Sequence, residues 1–457
     1  LEMPEEWNQI AFDDHVHDAN TKGRKTPTHL IMDAWIKGIR RLTVVYYHYV
    51  PKEAASELLE AGEIMGITIR IGVSIPSRFR GSRIRFIWVP RGFFDARDFL
   101  SFLSDPHVEA FMNEGRQISE AQKKCILDLL AEFNRTHRAA VNEAFGIELP
   151  ALSEDDFLSF VASGQASILH LAEFIHARVF PLVKSRLSEL RLRFAEAKED
   201  EKDGIRGLVL RMQAFDSEAV VEEYLRPVRN PSLPDPNWPW KESDLPPLLR
   251  LSPADLIERL DRLHTGYRVC LNLSGLSVND VLELLYDCRG RITHLEIFNL
   301  KDHVAGRAPD YSGIGKLQEA LNEGNVITLK KLILGLLKSL ELSTCPDRDE
   351  RIAKMAEILR NIATLQSYYS KVPLKANVGS DSASRSPHLY GMGLIVRDTL
   401  KRKNQETIAA SLGPSILLLP VHMTVCYRTT CIPDEAAGWI GKALGFLSKF
   451  LPGLQHL

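Results

Sequence analysis

The residues most able to do chemistry stand near the start of the chain, in Phe12-Asp13-Asp14-His15-Val16-His17-Asp18-Ala19-Asn20-Thr21-Lys22-Gly23. His15 and His17 lie two apart in a segment that reads as the end of a β-strand. Side chains with that spacing point to one face, so both imidazoles can reach a single point in space. Imidazole is the commonest side-chain metal ligand, and acidic neighbours supply further ligands or orient the first ones. An isolated pair of this kind arises often by chance in a chain with 14 histidines, so its weight depends on the elements and motifs further along the chain.

A second chemical stretch spans residues 76–94, where Arg78, Arg80, Arg83, Arg85 and Arg91 alternate with Phe79, Phe86, Trp88, Phe93 and Phe94. Arginines between aromatics can grip phosphates and stack bases. The plainer expectation is a strand with its arginines outward and its aromatics inward. If the end of this strand reaches a metal, the same arginines become a phosphate clamp.

The elements that must hold these groups emerge from periodicity. Thr26-Pro27 starts a helix whose apolar positions are Leu30, Ile31, Ala34 and Trp35, and Gly38 stops it. The β-branched run from Leu42 to His48 reads as a buried strand ending in a histidine. A helix from Glu53 to Met65, with Gly66 after it, leads to a third strand from Ile67 to Ser74. This βαβαβ order with short loops predicts a parallel sheet or barrel.

In this order the residues resemble the PHP (polymerase and histidinol phosphatase) domain family of metal-dependent phosphoesterases. That family opens with D-x-H-x-H-T-x-x-S-D-G, continues with a helix bearing A-x-x-x-G and a strand ending T-D-H, and then reaches a strand ending G-x-E. Asp13, His15, His17, Gly23, Ala34, Gly38, His48 and Gly72 fall in register with it. Ser167-Ile168-Leu169-His170-Leu171-Ala172 resembles its R-P-H-I-A element, His294-Leu295-Glu296-Ile297-Phe298-Asn299 its I-E-V-Y-N strand, and Gly379-Ser380-Asp381-Ser382 its G-S-D-A-H motif, with Met392 and Gly393 following. The resemblance runs in order from Asp13 to Gly393. It implies an α/β fold, a PHP-like (β/α) TIM-type barrel for which seven strands is an admissible count, carrying a large helical insertion. It also implies metal ligation by His15, His17, His48, His170, Glu296 and Asp381, with Asp13, His48, Asp381 and Arg85 as catalytic residues. Its cofactor would be a divalent ion, zinc, manganese or iron, among which these donor types do not choose.

Four family metal positions are replaced: Tyr47 stands for an aspartate, Ser74 for a glutamate, and Arg85 and Ala383 for histidines. A site of one or two metals is therefore expected rather than three. Asp302, His303 and His388 are candidate substitutes for the missing ligands. His176, on a helix without a family counterpart, is read as structural.

The remaining chain divides by composition. Residues 1–94 read as the first part of the barrel and 95–229 as the helical insertion. Residues 230–250 read as a proline-rich linker, because proline removes donors and fixes φ. Residues 251–415 alternate strands and helices as the second barrel part, and 416–457 form a C-terminal strand and amphipathic tail. Apolar residues make up 45% of the 457 and charged ones 25%, enough for a sizeable core, and the net charge of −2 gives no basic field favouring nucleic acid. Six cysteines without paired spacing argue for reduced thiols and a cytoplasmic setting, with Cys426 and Cys431 an incidental pair. Neither a signal pattern nor an apolar run of membrane-spanning length is present. The tail, with Trp439, Phe446 and Phe450, is expected to pack on the barrel, on another subunit as a homo-oligomer contact, or on a further domain.

Three functions fit. One is a metal-dependent phosphoesterase acting on a phosphorylated small molecule, a nucleotide or a nucleic-acid end. Another is a PHP-like barrel that has lost catalysis and serves as a binding or assembly module. The last is an amidohydrolase-like metallohydrolase, a class that also opens with two histidines at a strand end.

Overall fold

The computed structural model describes residues 10–385 and 391–410. The chain divides into a large unit, 1–400, and a second, 401–457, whose described part carries the helix Arg402–Ala410. His388, Cys426, Cys431 and the apolar tail lie outside the described residues.

Runs of β-branched and aromatic residues become the strands of a single eight-stranded sheet. These are β1 (Ala11–Val16), β2 (Arg41–Tyr47), β3 (Thr68–Phe79), β4 (Ser82–Pro90), β5 (Tyr267–Asn272), β6 (His294–Asn299), β7 (Lys375–Gly379) and β8 (Leu394–Ile395). Their order is β7-β6-β5-β4-β3-β2-β1-β8. Strands β1 to β3 are mutually parallel, as are β5 to β7. The segment after β7 then returns to β1: Val16 bridges Ser382, the Asp381 amide donates to the His15 carbonyl at 2.8 Å, and that of His17 to Ser382 at 3.0 Å. Seven strands thus form a nearly closed ring, and β8 lies antiparallel beside the start of β1. The result is an α/β barrel, one of the two arrangements that the strand and helix order allows and the one that the family resemblance implies.

One strand departs from the expected alternation. β3 turns back through Arg80 and Gly81, both at positive φ, into β4, which runs antiparallel to β3 and β5. This changes the reading of the arginine-aromatic stretch. Ile84, Phe86 and Trp88 face the outer core beneath the helices, while Arg83 and Arg85 line the mouth of the barrel. Arg83 and Arg85 face the cavity, whereas Arg80 turns to the helix side and pairs with Glu283 at 2.9 Å. In a closed barrel both faces of a strand are enclosed, one by helices and one by the lumen, so alternation alone cannot say which face meets water.

Helices α1 (Pro27–Ile36) and α2 (Lys52–Met65) cover β1 to β3. Thr26 caps α1, its hydroxyl accepting from the His29 amide. Next come α3 (Ala96–Leu103) and α4 (Pro106–Glu132), whose residues Phe99, Leu103, Phe111 and Ile118 belong to the barrel's core. From Ile126 the packing changes. The end of α4 joins α5 (Arg138–Phe145), α6 (Glu154–Val161) and α7 (Ile168–Glu196) around a second core that includes Phe133, Phe157, Phe174 and Leu225. Residues 230–247 form a strap with only short helical turns, tied down by Arg83 to Asp235 at 2.9 Å and by Gln122 to the Asn237 carbonyl at 3.2 Å. Among the described residues no helix is long and apolar enough to cross a membrane.

Candidate metal centre and its cavity

Six of the seven ring strands end on one rim, where barrel enzymes place their reactive groups. The register of β1 shifts between Asp13 and Val16, and this irregularity turns His15 and His17 to the same interior. His15 Nδ1 lies 2.5 Å from Glu296 Oε1, and His17 Nδ1 lies 2.7 Å from the Val45 carbonyl. A carbonyl can only accept, so His17 carries its proton on Nδ1 and presents the lone pair of Nε2. Donation from His15 to the Glu296 carboxylate leaves its Nε2 in the same state. Asp381 Oδ1 sits 3.0 Å from His17 Nε2 and 3.9 Å from His15 Nε2. Donor atoms of His15, His17 and Asp381 all lie within 4.8 Å of one another.

This donor set fits one divalent ion. Two imidazole nitrogens and a carboxylate suit zinc, manganese or iron, and each imidazole already has the partner that fixes a ligand's tautomer and aim. Glu296 is that partner for His15 and is itself held by Asn272 and, at 3.5 Å, by Asn299. Its burial is therefore balanced by a histidine and two amides. Glu296, implied by the resemblance as a ligand, stands outside the three-donor cluster as the orienting partner of one.

The electrostatics are set by two lysines. Lys22 Nζ lies 2.7 Å from Asp381 Oδ1, and Lys301 is close enough to Lys22 that mutual repulsion, then burial, lowers its pKa. Burial opposes the ionised form of Asp381, but Lys22, Lys301 and His15 outweigh it and hold the carboxyl well below the usual range. Burial and then Lys22 press His17 well below its ordinary value. Burial also pulls His15 down, but the Glu296 and Asp381 carboxylates overcome it and raise this group. Tyr47, where the resembled family has an aspartate, stacks on His17 with centroids 4.9 Å apart and has Arg85 over its ring at 5.5 Å.

The other candidates separate. Asp13 faces away from the rim, fully buried, and accepts from three amides: His15 at 3.1 Å, Ser380 at 3.0 Å and Gly393 at 2.9 Å. It staples β1 to the Gly379–Asp381 turn and does not touch the donor atoms. His48 lines the cavity, but its Nε2 meets Gln122 at 3.2 Å and its buried Nδ1 has no partner. Burial and Arg85 push it down to about 3. His170 Nδ1 meets Ser167 at 2.8 Å and its buried Nε2 is unpartnered, outside the three-donor cluster. Asp302 pairs with Arg307 at 2.9 Å, and His303 packs against Phe298; neither joins the cluster.

Above the donors opens a cavity of about 630 Å³. Lys22, Arg83, Arg85, Lys301 and Arg307 line it, with Asp302 and Asp381 as its acids. Sequence reasoning named Arg85 but missed both lysines. The available signals were slight: Lys22 closes the loop after the histidines, and Lys301 stands two residues beyond the last residue of β6.

No protein-family model matches the chain, and no curated protein matches it. Among solved structures it is similar to a protein from Bifidobacterium adolescentis, to which a metal-dependent phosphoesterase function has been assigned by inference. They share 13% identity with a TM-score of 0.43, over 88% of this chain and 96% of that one. An amidohydrolase from Chromobacterium violaceum, with bound sulfate and no metal, shares 15% identity with a TM-score of 0.40, over 68% of this chain and 84% of that one. A two-domain protein from Bacteroides vulgatus, containing a predicted PHP-like metal-dependent phosphoesterase, shares 18% identity with a TM-score of 0.16, over 21% of this chain and 32% of that one.

Proposed function

We propose that this chain is a divergent PHP-like metallohydrolase that binds one divalent ion and cleaves a small phosphate ester. The observation that carries this reading is the convergence of His15 Nε2, His17 Nε2 and Asp381 Oδ1 beneath a cavity with five cationic side chains. A divalent ion held by these donors would supply an acidified water and a positive charge opposite phosphate. The chain's own residues supply the rest. Glu296 and the Val45 carbonyl hold the imidazoles in the donor tautomer. Lys301 and Arg85 hold the phosphate oxygens, and Tyr47 walls the site against the lumen. In this reading Lys22 exchanges its contact with Asp381 for one with the substrate. The strap at Trp238 and α4 at Gln122 limit how large the leaving group can be.

A second reading rests on one contact. Lys22 already neutralises the oxygen of Asp381 that a metal would take, as expected of a barrel that has replaced its cation by an ammonium and binds anions without turning them over. Metal analysis after reloading, with a screen of nucleotides, sugar phosphates and nucleic-acid ends under manganese or zinc, separates the two. The hydrolase reading expects about one ion per chain, and His15→Ala and Asp381→Asn each lowering turnover at least about 10²-fold. Metal below about 0.2 per chain after reloading removes that reading. Metal uptake without phosphate release from any substrate favours the binding module.

A further inference from the structure

The opposite end of the barrel carries an independent concentration of charge. The inward face of the sheet is marked by Val45, Ile87, Val89 and Cys270, which form a small core of their own inside the ring. Pairing carries that face downward. Thr43 pairs with Arg70, Val89 with Arg268, and His294 with both Cys270 and Lys375. Arg41 lies two residues before Thr43, and Arg91 two after Val89, so both share the inward parity. The layer nearest the start of the parallel strands thus holds Arg41, Arg70, Arg91, Arg268 and Lys375, with His294 one step above.

Among the described residues Asp14 is the only acid that pairs with any of these five. Its carboxylate lies 3.1 Å from Arg41 and 3.7 Å from Arg70. Arg268 reaches only the neutral amide of Asn377, at 3.4 Å. Two buried donors have no acceptor: the Nε–H groups of Arg41 and Arg268. His294 is 5% exposed and bonds through Nδ1 to Thr293 alone. Burial, followed by the nearby Arg268 and Arg41 guanidinium groups, lowers Arg70 to about 10. Buried N–H groups in native proteins are almost always paired, with protein, water or ligand. An assembly of five cations and one carboxylate also repels itself unless an anion enters it.

We propose that this mouth binds a small phosphate-type oxyanion, free or as the phosphate of a small metabolite, held by Arg41, Arg70 and Arg268. Planar guanidinium groups from three strands match an oxyanion's several acceptors, and the forked geometry suits paired hydrogen bonds. The anion satisfies the orphaned donors and ties β2, β3 and β5 together at the end of the barrel away from the metal donors. This site does not depend on the hydrolase reading.

The test uses the full chain in phosphate-free buffer, with ionic strength held constant by chloride. Inorganic phosphate, glycerol phosphate and sulfate are titrated by calorimetry and by thermal melting. A site with a Kd of about 1 mM raises Tm by about 1.5 °C at 10 mM phosphate. Two binding steps are expected, one at each end of the barrel: Arg268→Met weakens one of them at least about tenfold, and Lys301→Met, in the upper cavity, weakens only the other. If Arg268→Met does not fold, Arg70→Gln takes its place. Inorganic phosphate binding alone identifies a free-anion site; tighter binding of glycerol phosphate identifies a metabolite's phosphate. Absence of binding by all three, or all binding lost in Lys301→Met and kept in the lower-mouth variants, overturns the proposal.

Discussion

Replacing Asp13 by alanine should unfold the barrel more readily than any change at the metal donors. The carboxylate is fully buried, and its two oxygens accept from the amides of His15, Ser380 and Gly393. Alanine removes both acceptor oxygens and leaves three amide donors without their partner. An orphaned buried donor costs about 1–3 kcal/mol, and the Gly393 contact is only partly buried, so the loss comes to about 3–6 kcal/mol. That is a large share of the ~5–15 kcal/mol that holds a typical domain folded. Asparagine is milder. It keeps an oxygen for two of the amides, while its NH₂ faces the third, a cost of about 1–2 kcal/mol. Burial also lifts the Asp13 carboxyl above its ordinary pKa despite the three amides, so losing the charge is itself favourable. Urea unfolding at pH 7, with the slope m checked for constancy, measures both variants. Both should also bind metal less tightly, because the staple positions the turn that carries Asp381. An alanine variant within about 1 kcal/mol of the parent, or an asparagine variant as damaged as alanine, would refute the reasoning.

Lys22→Met should raise divalent-metal affinity at least about tenfold in calorimetric titration, because it frees Asp381 Oδ1 from an ammonium 2.7 Å away; unchanged affinity would mean that the ion and Lys22 do not compete. Gly115→Ala should destabilise by about 1–3 kcal/mol in thermal melts, since a β-carbon there would fall well inside contact distance of the His48 carbonyl oxygen, a backbone atom that cannot swing aside. Burial, followed by neighbouring cations, keeps His294 down to about 2 and His170 down to about 3. Their stabilising contribution is therefore whole above the unfolded value of about 6.5 and is lost as pH falls from there toward 3. Urea midpoints measured from pH 7.5 to 4.5 should decline, and His170→Gln should flatten the decline by about one proton, or about 1.4 kcal/mol per pH unit.

The parts of this site that were legible in the chain are those in which chemistry and geometry are both local. His15 and His17 share a face because a strand has a period of two. The helix beginning at Thr26 announces itself through its cap, and the proline run after Asn230 excludes regular structure whatever surrounds it. The order of strands and helices predicted a parallel sheet or barrel, and the family resemblance chose the barrel. What tertiary structure decided is everything that depends on which segments meet. Glu296 becomes the partner of His15 across 281 positions, and Asp381 gains Lys22 from 359 positions away. The resemblance implied a catalytic role for Asp13, but in the closed ring its carboxylate is a staple, because the irregularity in β1 turns it to the amides of Ser380 and Gly393 while the histidines go inward. His48 and His170 kept their places in the pattern yet stand outside the donor cluster, since a ligand needs convergence within a few ångströms and a motif records only order. The arginines of β4, β2, β3 and β5 carry the same alternation as a solvent-facing strand. Only closure of the sheet placed them inside the barrel, some at the cavity and some at the opposite mouth, because a period of two names two faces and does not say what lies beyond either.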